Sequence, residues 1–275
     1  MLRRRHATTP APASISTAAC TMMRRWMRRA FRVRPRFWLV GIALVFHVLV
    51  VGGVRFVNPP VTLTMLGAMW DHRGWPEREW RTLDELGDVP RIAVAAEDGA
   101  FWMHAGFDWV GICAAIDRNR SARAEGSTHR VGGSTIPQQV VRNVFLWQGR
   151  SWFRKGLETW LTIWLVRLVP RERILELYVN LAQTGPLTFG VEAGAQEVFG
   201  RPASALSEQQ SALLLALLPA PATRSITDTS VVKQAGRIRR NRSPWPGEPG
   251  FDDMAQRWSD KNPGALGCAW QQLMR

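Results

Sequence analysis

A chain of 275 residues, 46% of them hydrophobic, is long enough to fold as one or two domains with a real core. Its net charge of +14 invites a nucleic-acid reading, yet ten arginines lie in residues 1–36, which hold no Asp, Glu or Lys. The basic excess is a tail rather than a face, which argues against nucleic acid as a partner. Cys20, Cys113 and Cys268 are far apart and odd in number, so no disulfide framework or CxxC site is expected. The histidines show no HExxH-type spacing, and no structural metal is expected.

Residues 1–36 read as a basic cytoplasmic tail. Residues 37–54 carry no formal charge and read as a transmembrane anchor. At about 1.5 Å rise per residue they reach roughly 27 Å, close to a hydrocarbon core of about 30 Å. A cleaved signal peptide has a shorter apolar region and a small-residue cleavage site, and neither is evident. A buried core helix is disfavoured by the arginines just before it. The positive-inside rule then puts the tail in the cytoplasm and everything after Arg55 outside.

Asn58, Pro59 and Pro60 stop any helix leaving the membrane. Residues 55–89 read as a juxtamembrane linker, with an apolar stretch at 61–67 lying along the bilayer and a turn-rich stretch at 71–89. From Pro90 the pattern is mostly helical, without convincing strands, and the main domain is taken as 90–240. Helices are expected at 108–116, 134–145, 153–169, 171–181 and from Ser207 to about 218. Ser207 and Gln210 form a capping box at the start of the last, and Pro219 and Pro221 end it. The helix at 153–169 has Leu157, Trp160, Leu161, Trp164, Leu165 and Leu168 on one face. Residues 121–130 are polar and read as mobile. Residues 241–275 are rich in Pro and Gly at their start and read as a loosely ordered tail.

Four segments could carry chemistry. In residues 91–108 an apolar helical run leads into Glu97 and Asp98, followed by Phe101, His104 and Asp108. An apolar wall beside a carboxyl raises its pKa, which makes Glu97 a candidate base. A helix end followed by a solvated loop has the same pattern. In residues 132–139 (GGSTIPQQ), a glycine-rich turn opens a helix whose free N–H groups can bind phosphate. Thr135 and Gln138 fit a capping box there, with Pro137 tolerated in the first turn; an ordinary capped helix reads the same way. Third, Arg142, Arg150, Arg154 and Lys155 can gather cationic groups suited to a pyrophosphate, or form a solvated basic face. Lys155 is one of three lysines in the chain. Glu158 either faces solvent and pairs with Arg154 or is a second, partly buried acid. Fourth, Ile174, Leu175, Tyr178 and Leu181 form a core stripe, with Glu176 and Asn180 buttressing the site.

Taken in order, these segments resemble the peptidoglycan glycosyltransferase family in its single-domain, membrane-anchored form. The resemblance runs from about residue 58 to about 221. It rests on Glu97, Asp98, Phe101 and His104; on Gly133, Ser134, Thr135, Gln138 and Gln139; on Arg154, Lys155 and Glu158; and on Ile174, Leu175, Glu176, Tyr178, Val179 and Asn180. It implies a mostly α fold, with a lysozyme-like helical head and a smaller membrane-associated jaw lobe behind one transmembrane helix.

The resemblance implies polymerisation of lipid II into glycan strands by inverting transfer, with release of undecaprenyl pyrophosphate. Glu97 is then the general base and Glu158 the second catalytic glutamate. Ser134, Thr135, Gln138, Gln139, Arg142, Arg150 and Lys155 would bind substrate, and Asp98, Phe101, His104, Arg154, Glu176, Tyr178 and Asn180 would support them. A Mg or Mn ion could sit at the pyrophosphate; no tightly bound cofactor is implied. Implied partners are lipid II, the growing lipid-linked glycan, membrane lipids, and transpeptidases with divisome or elongation proteins. The implied location is the bacterial inner membrane, single-pass, with the catalytic domain periplasmic.

Pro137 stands where the family usually has a small polar residue, and Arg142 and Arg171 stand for usual lysines. No KTG-type transpeptidase motif is present. A lysozyme-like glycan hydrolase and a non-catalytic membrane scaffold are the competing functions.

Overall fold

The computed structural model describes residues 41, 42, 45, 48–126, 132–147, 149, 151–218 and 223–273, with side chains through residue 262. The chain divides into two compact units, Met1–Val50 and Val51–Arg275. The basic tail expected at 1–36 lies outside the described residues, as does part of the anchor expected at 37–54. In the first unit the described residues are helical, with Ile42, Val45 and Leu49 exposed. No helix among the described residues is long and apolar enough to cross a membrane.

The second unit is mostly helical, as expected. The segment expected as a linker, 55–89, is instead built into it. Helix α1 (Leu63–His72) starts where Thr62 Oγ1 accepts the Met65 N–H at 3.2 Å, and it buries Met65 and Ala68. A two-residue strand, β1 (Glu77–Arg78), pairs in parallel with β2 (Thr188–Phe189), Glu77 opposite Thr188 and Arg78 opposite Phe189. A 3₁₀ turn, Asp84–Leu86, buries Leu86 completely. One inward residue per turn suffices to dock such short elements, too weak a period to read from sequence.

Helix α2 (Val89–Glu97) takes Pro90 in its first turn, where no N–H partner is needed, and buries Val89, Ile92, Ala93 and Val94. It stops at Glu97 because Asp98 leaves the helical region, with φ −159° and ψ 72°. Helix α3 (Trp109–Ala124) runs longer than the expected 108–116 and includes residues 121–124, expected as mobile. Of the rest of that polar segment, Glu125 and Gly126 close the helix end and 127–130 lies outside the described residues.

Helix α4 (Ile136–Phe145) packs on α1 and on helices α5 (Trp152–Leu168) and α6 (Arg171–Leu181). Helix α5 largely turns the expected face inward: Leu161 and Leu165 are buried and Leu157, Trp164 and Leu168 pack against the core, while Trp160 is 44% exposed and Glu158 and Thr162 are buried beside them. The row of bulky apolar residues marks the inner face, and only Trp160 at its edge stays partly outside. Helix α6 buries seven of its last eight residues and forms the centre of the core. Full burial of each leucine there contributes about 1.5–3 kcal/mol.

Gly190 (φ 84°) turns the chain from β2 into helix α7 (Val191–Phe199); a Cβ there would lie 2.9 Å from the Asn180 carbonyl oxygen. Helix α8 (Glu208–Leu217) begins with the Ser207–Gln210 capping box, as expected. Pro219 and Pro221, expected to end it, lie outside the described residues. Helix α9 (Thr229–Arg240) packs on α8 and α2. The segment expected as a loose tail, 241–275, contains helix α10 (Phe251–Leu273), which packs on α3. Its opening Pro/Gly run is a turn that starts a helix rather than the start of disorder.

Candidate active site

The site forms where the C-terminus of α2 meets the N-terminus of α4. Asp98, buried just past the end of α2, accepts the Ile136 N–H through Oδ2 at 2.9 Å. A carboxylate facing the first free N–H of a helix satisfies that donor and the helix dipole together. The N–H groups expected to be open for phosphate are therefore committed. Ile136 donates to Asp98, Pro137 has no N–H, the N–H of Gln138 closes the capping box and Gln139 donates to the Thr135 carbonyl at 3.0 Å.

Asp98 also holds His104, whose Nε2 lies 2.9 Å from both carboxylate oxygens. The Gly106 N–H donates to His104 Nδ1 at 3.1 Å, so the imidazole carries its proton on Nε2 and donates it to Asp98. Gly106 has φ 98° and its carbonyl accepts the Thr135 hydroxyl at 2.7 Å. Asp98, His104, Gly106 and Thr135 thus lock the loop after α2 onto the start of α4. Phe101 is fully buried within this loop, and Arg171 donates to its carbonyl.

Glu97 points to the other side. Its Oε2 accepts from Gln139 Nε2 at 2.8 Å, and Gln139 Oε1 lies 3.5 Å from the Arg142 guanidinium. Burial pushes the Glu97 carboxyl above its ordinary pKa; the Gln139 hydrogen bond and Arg142 oppose this, and Asp98 adds to it. Tyr178 is buried close by, and desolvation together with Glu97 holds its hydroxyl well above the usual phenol range.

Glu97, Ser134, Gln139 and Arg142 line one wall of a cavity of about 560 Å³. The opposite wall is Leu218 with Arg224, Gln234, Arg237, Ile238 and Asn241. Arg224 donates to the Ala216 carbonyl at 2.9 Å and to Gln234 Oε1 at 3.0 Å. Neither Arg224 nor Arg237 stands out in the sequence. Arg237 shares the last turn of α9 with Arg239 and Arg240, and only packing shows which one enters the cavity.

Among the other residues singled out by sequence, Thr135 and Gln138 are buried in the cap and do not line the cavity. Glu158 is buried on α5 and ion-paired with Lys155, with Arg154 at 4.0 Å, which decides the open question about its exposure. The Nε of Arg154 is buried without a hydrogen-bond partner. Lys155 and Glu158 lie outside the cavity lining, and Arg150 lies outside the described residues. Glu176 accepts the Trp80 indole N–H at 3.0 Å. Asn180 accepts the Arg81 N–H at 2.9 Å and donates to its carbonyl at 2.8 Å. Both residues therefore fasten the 80–81 segment to α6.

Among the described residues no three His, Cys, Asp or Glu side chains gather, and Glu158 is already neutralised by two cations.

A family model described as Transglycosylase matches residues 66–243. A biosynthetic peptidoglycan transglycosylase of Xanthomonas euvesicatoria pv. vesicatoria is 42% identical over 208 residues, covering 72% of this chain and 78% of the relative. Its counterpart in Xylella fastidiosa strain M12 is 39% identical over 237 residues, covering 81% and 93%. A third, from Xanthomonas oryzae pv. oryzae, is 43% identical over 194 residues, covering 67% and 77%.

Proposed function

The chain belongs to the transglycosylase family and is a peptidoglycan glycosyltransferase, and we propose that it polymerises lipid II by inverting transfer with loss of undecaprenyl pyrophosphate. Glu97 takes the proton of the acceptor's sugar 4-hydroxyl. The freed oxygen attacks the anomeric carbon of the growing chain, and the bond from that carbon to the pyrophosphate oxygen breaks, the electron pair leaving with the phosphate.

A carboxylate at its ordinary pKa of about 4.3 is a weak base for an alcohol. One raised by burial takes the proton more readily, as the Glu97 environment favours. The departing pyrophosphate needs positive charge held in place, which Arg142 supplies from α4 and Arg224 and Arg237 from the facing wall. Ser134 and Gln139 contact the sugars. Lys155, held by Glu158 on the neighbouring helix and outside the cavity lining, extends the pyrophosphate site beyond the three arginines.

Residues 37–54 anchor the chain in the bacterial inner membrane, with the tail cytoplasmic and the catalytic domain periplasmic. A lysozyme-like head carries Glu97, and a smaller jaw touches the bilayer. The near-full exposure of Phe56, Trp70, Trp75, Trp152 and Phe153 supports that contact, since Trp suits the headgroup layer.

The observation that carries this proposal is a burial-raised carboxyl, joined through Gln139 to Arg142, inside an arginine-lined cavity. The test is incubation of the full chain with lipid II. Wild type forms glycan polymer and Glu97→Gln does not. Shortening of preformed strands without polymer would indicate a hydrolase instead.

A further inference from the structure

The family match ends at residue 243, yet the chain continues and folds back onto the outside of the active-site loop. Loop 98–108 has no helix or strand of its own, so its order depends on tertiary contacts. Its inner side is tied to α4 through Asp98 and Gly106. Its outer side is gripped three times, and the helix before it once. The Ser243 hydroxyl donates to the Gly99 carbonyl at 3.3 Å. Trp245 packs edge-on against Trp102, ring centres 4.9 Å apart, and Trp102 packs edge-on against buried Phe101, also at 4.9 Å. Arg91, on α2, lies over the Trp245 ring and pairs with Glu248 at 2.6 Å. At the far end of the loop, the Trp258 indole N–H donates to Asp108 Oδ1 at 3.1 Å, the oxygen that also caps α3 through the Gly111 N–H.

These contacts cover the start, middle and end of the loop and the helix that presents Glu97. We propose that residues 243–258 form a strap that holds loop 98–108, and through it Glu97, in its reactive position. Trp245 and Trp258 are its positioning residues. Neither touches the cavity, so both act through the loop. This inference rests on Glu97 being the base.

The consequence is a separation of rate from binding. The arginines and Ser134 belong to α4, α9 and the chain around them, which the strap leaves alone. A loosened loop misplaces the base while substrate still binds, and small misplacement of a reacting group costs rate steeply.

The test compares Trp245→Ala, Trp258→Ala and Trp258→Phe with wild type and Glu97→Gln in the full chain. Lipid II polymerisation is followed at a temperature well below each melting point, together with hydrogen exchange of the amides in 98–108. The alanine variants are expected to lose about tenfold in kcat with KM within about twofold, and to exchange faster in 98–108. Trp258→Phe keeps an aromatic ring, smaller than the indole, and loses the N–H, and is expected to fall between wild type and alanine. It also keeps the test decisive if an alanine variant does not fold. Unchanged kcat in the folded variants, or a loss that disappears on cooling with normal exchange in the loop, overturns the strap. Full activity in Glu97→Gln overturns the assignment of the base instead, which keeps the two failures distinct.

Discussion

Asp98 is the residue at which fold and site can be tested together. It is buried, and its carboxylate accepts from two donors that have no alternative, the Ile136 N–H and His104 Nε2–H, each at 2.9 Å. Asp98→Ala leaves both donors buried and unpaired. Each costs about 1–3 kcal/mol, so the expected loss is about 2–6 kcal/mol, a large share of the roughly 5–15 kcal/mol that holds a domain folded.

Asp98→Asn gives a sharper test because the shape is preserved. With its oxygen where Oδ2 stands the amide can still accept from both Ile136 and His104, but its NH₂ then takes the place of Oδ1, 2.9 Å from the His104 Nε2 donor. His104 cannot relieve the clash by moving its proton, because the Gly106 N–H already occupies Nδ1. The expected cost is about 1–3 kcal/mol, one unsatisfied donor. Unfolding of the full chain by urea, followed by tryptophan fluorescence, measures both values. A cost below about 0.5 kcal/mol for Asp98→Asn would refute the assigned donor pattern, since that is the range of an ordinary surface change.

Three further predictions concern the cavity and its frame. Glu97→Gln is expected to reduce polymerisation by about 100-fold or more, and the wild-type rate should rise with pH through the raised pKa of Glu97, above the ordinary carboxylate range. The same raised pKa has a consequence for stability. The folded state binds the proton more tightly than the unfolded state, so burial of Glu97 carries no ionisation cost below the ordinary carboxylate range and destabilises as pH rises through the raised value. Glu97→Gln should therefore raise the melting temperature at neutral pH and not at acidic pH; thermal melts at both settle the sign. Arg237→Ala and Arg224→Ala are expected to raise KM for lipid II by about tenfold each, with steeper salt dependence in wild type than in the variants; equal KM values would remove the facing wall from the site. Gly190→Ala places a Cβ 2.9 Å from the Asn180 carbonyl at φ 84° and should cost about 1–3 kcal/mol in a denaturant melt.

Much of the helix order is legible in the sequence because its signals are local. The Ser207–Gln210 capping box, Pro137 in the first turn of α4 and the core stripe of α6 each involve residues within one or two turns of each other. The apolar run before Glu97 likewise announces a carboxyl beside a dry wall. Elsewhere local pattern is silent or misleads. The tryptophan-rich row of α5 does face the core except at Trp160, but nothing in that pattern shows that Glu158 is buried beside it, where an ion pair with Lys155 makes a carboxylate tolerable inside. The Pro/Gly run after residue 240 looks like the start of disorder, although α10 follows it.

By itself, then, the sequence determined several helices between residues 108 and 218 and some of their caps, the acid at the end of an apolar run and the order of motifs that marks the family. These are matters of residue type at short spacing. Only the tertiary structure decided who occupies the start of α4, which arginines face Glu97 and what covers the loop between them. Asp98 reaches Ile136 across 38 residues, and Trp258 reaches Asp108 across 150. No period or cap in the chain encodes such a pairing. It is set by which buried donors find acceptors once the core has closed.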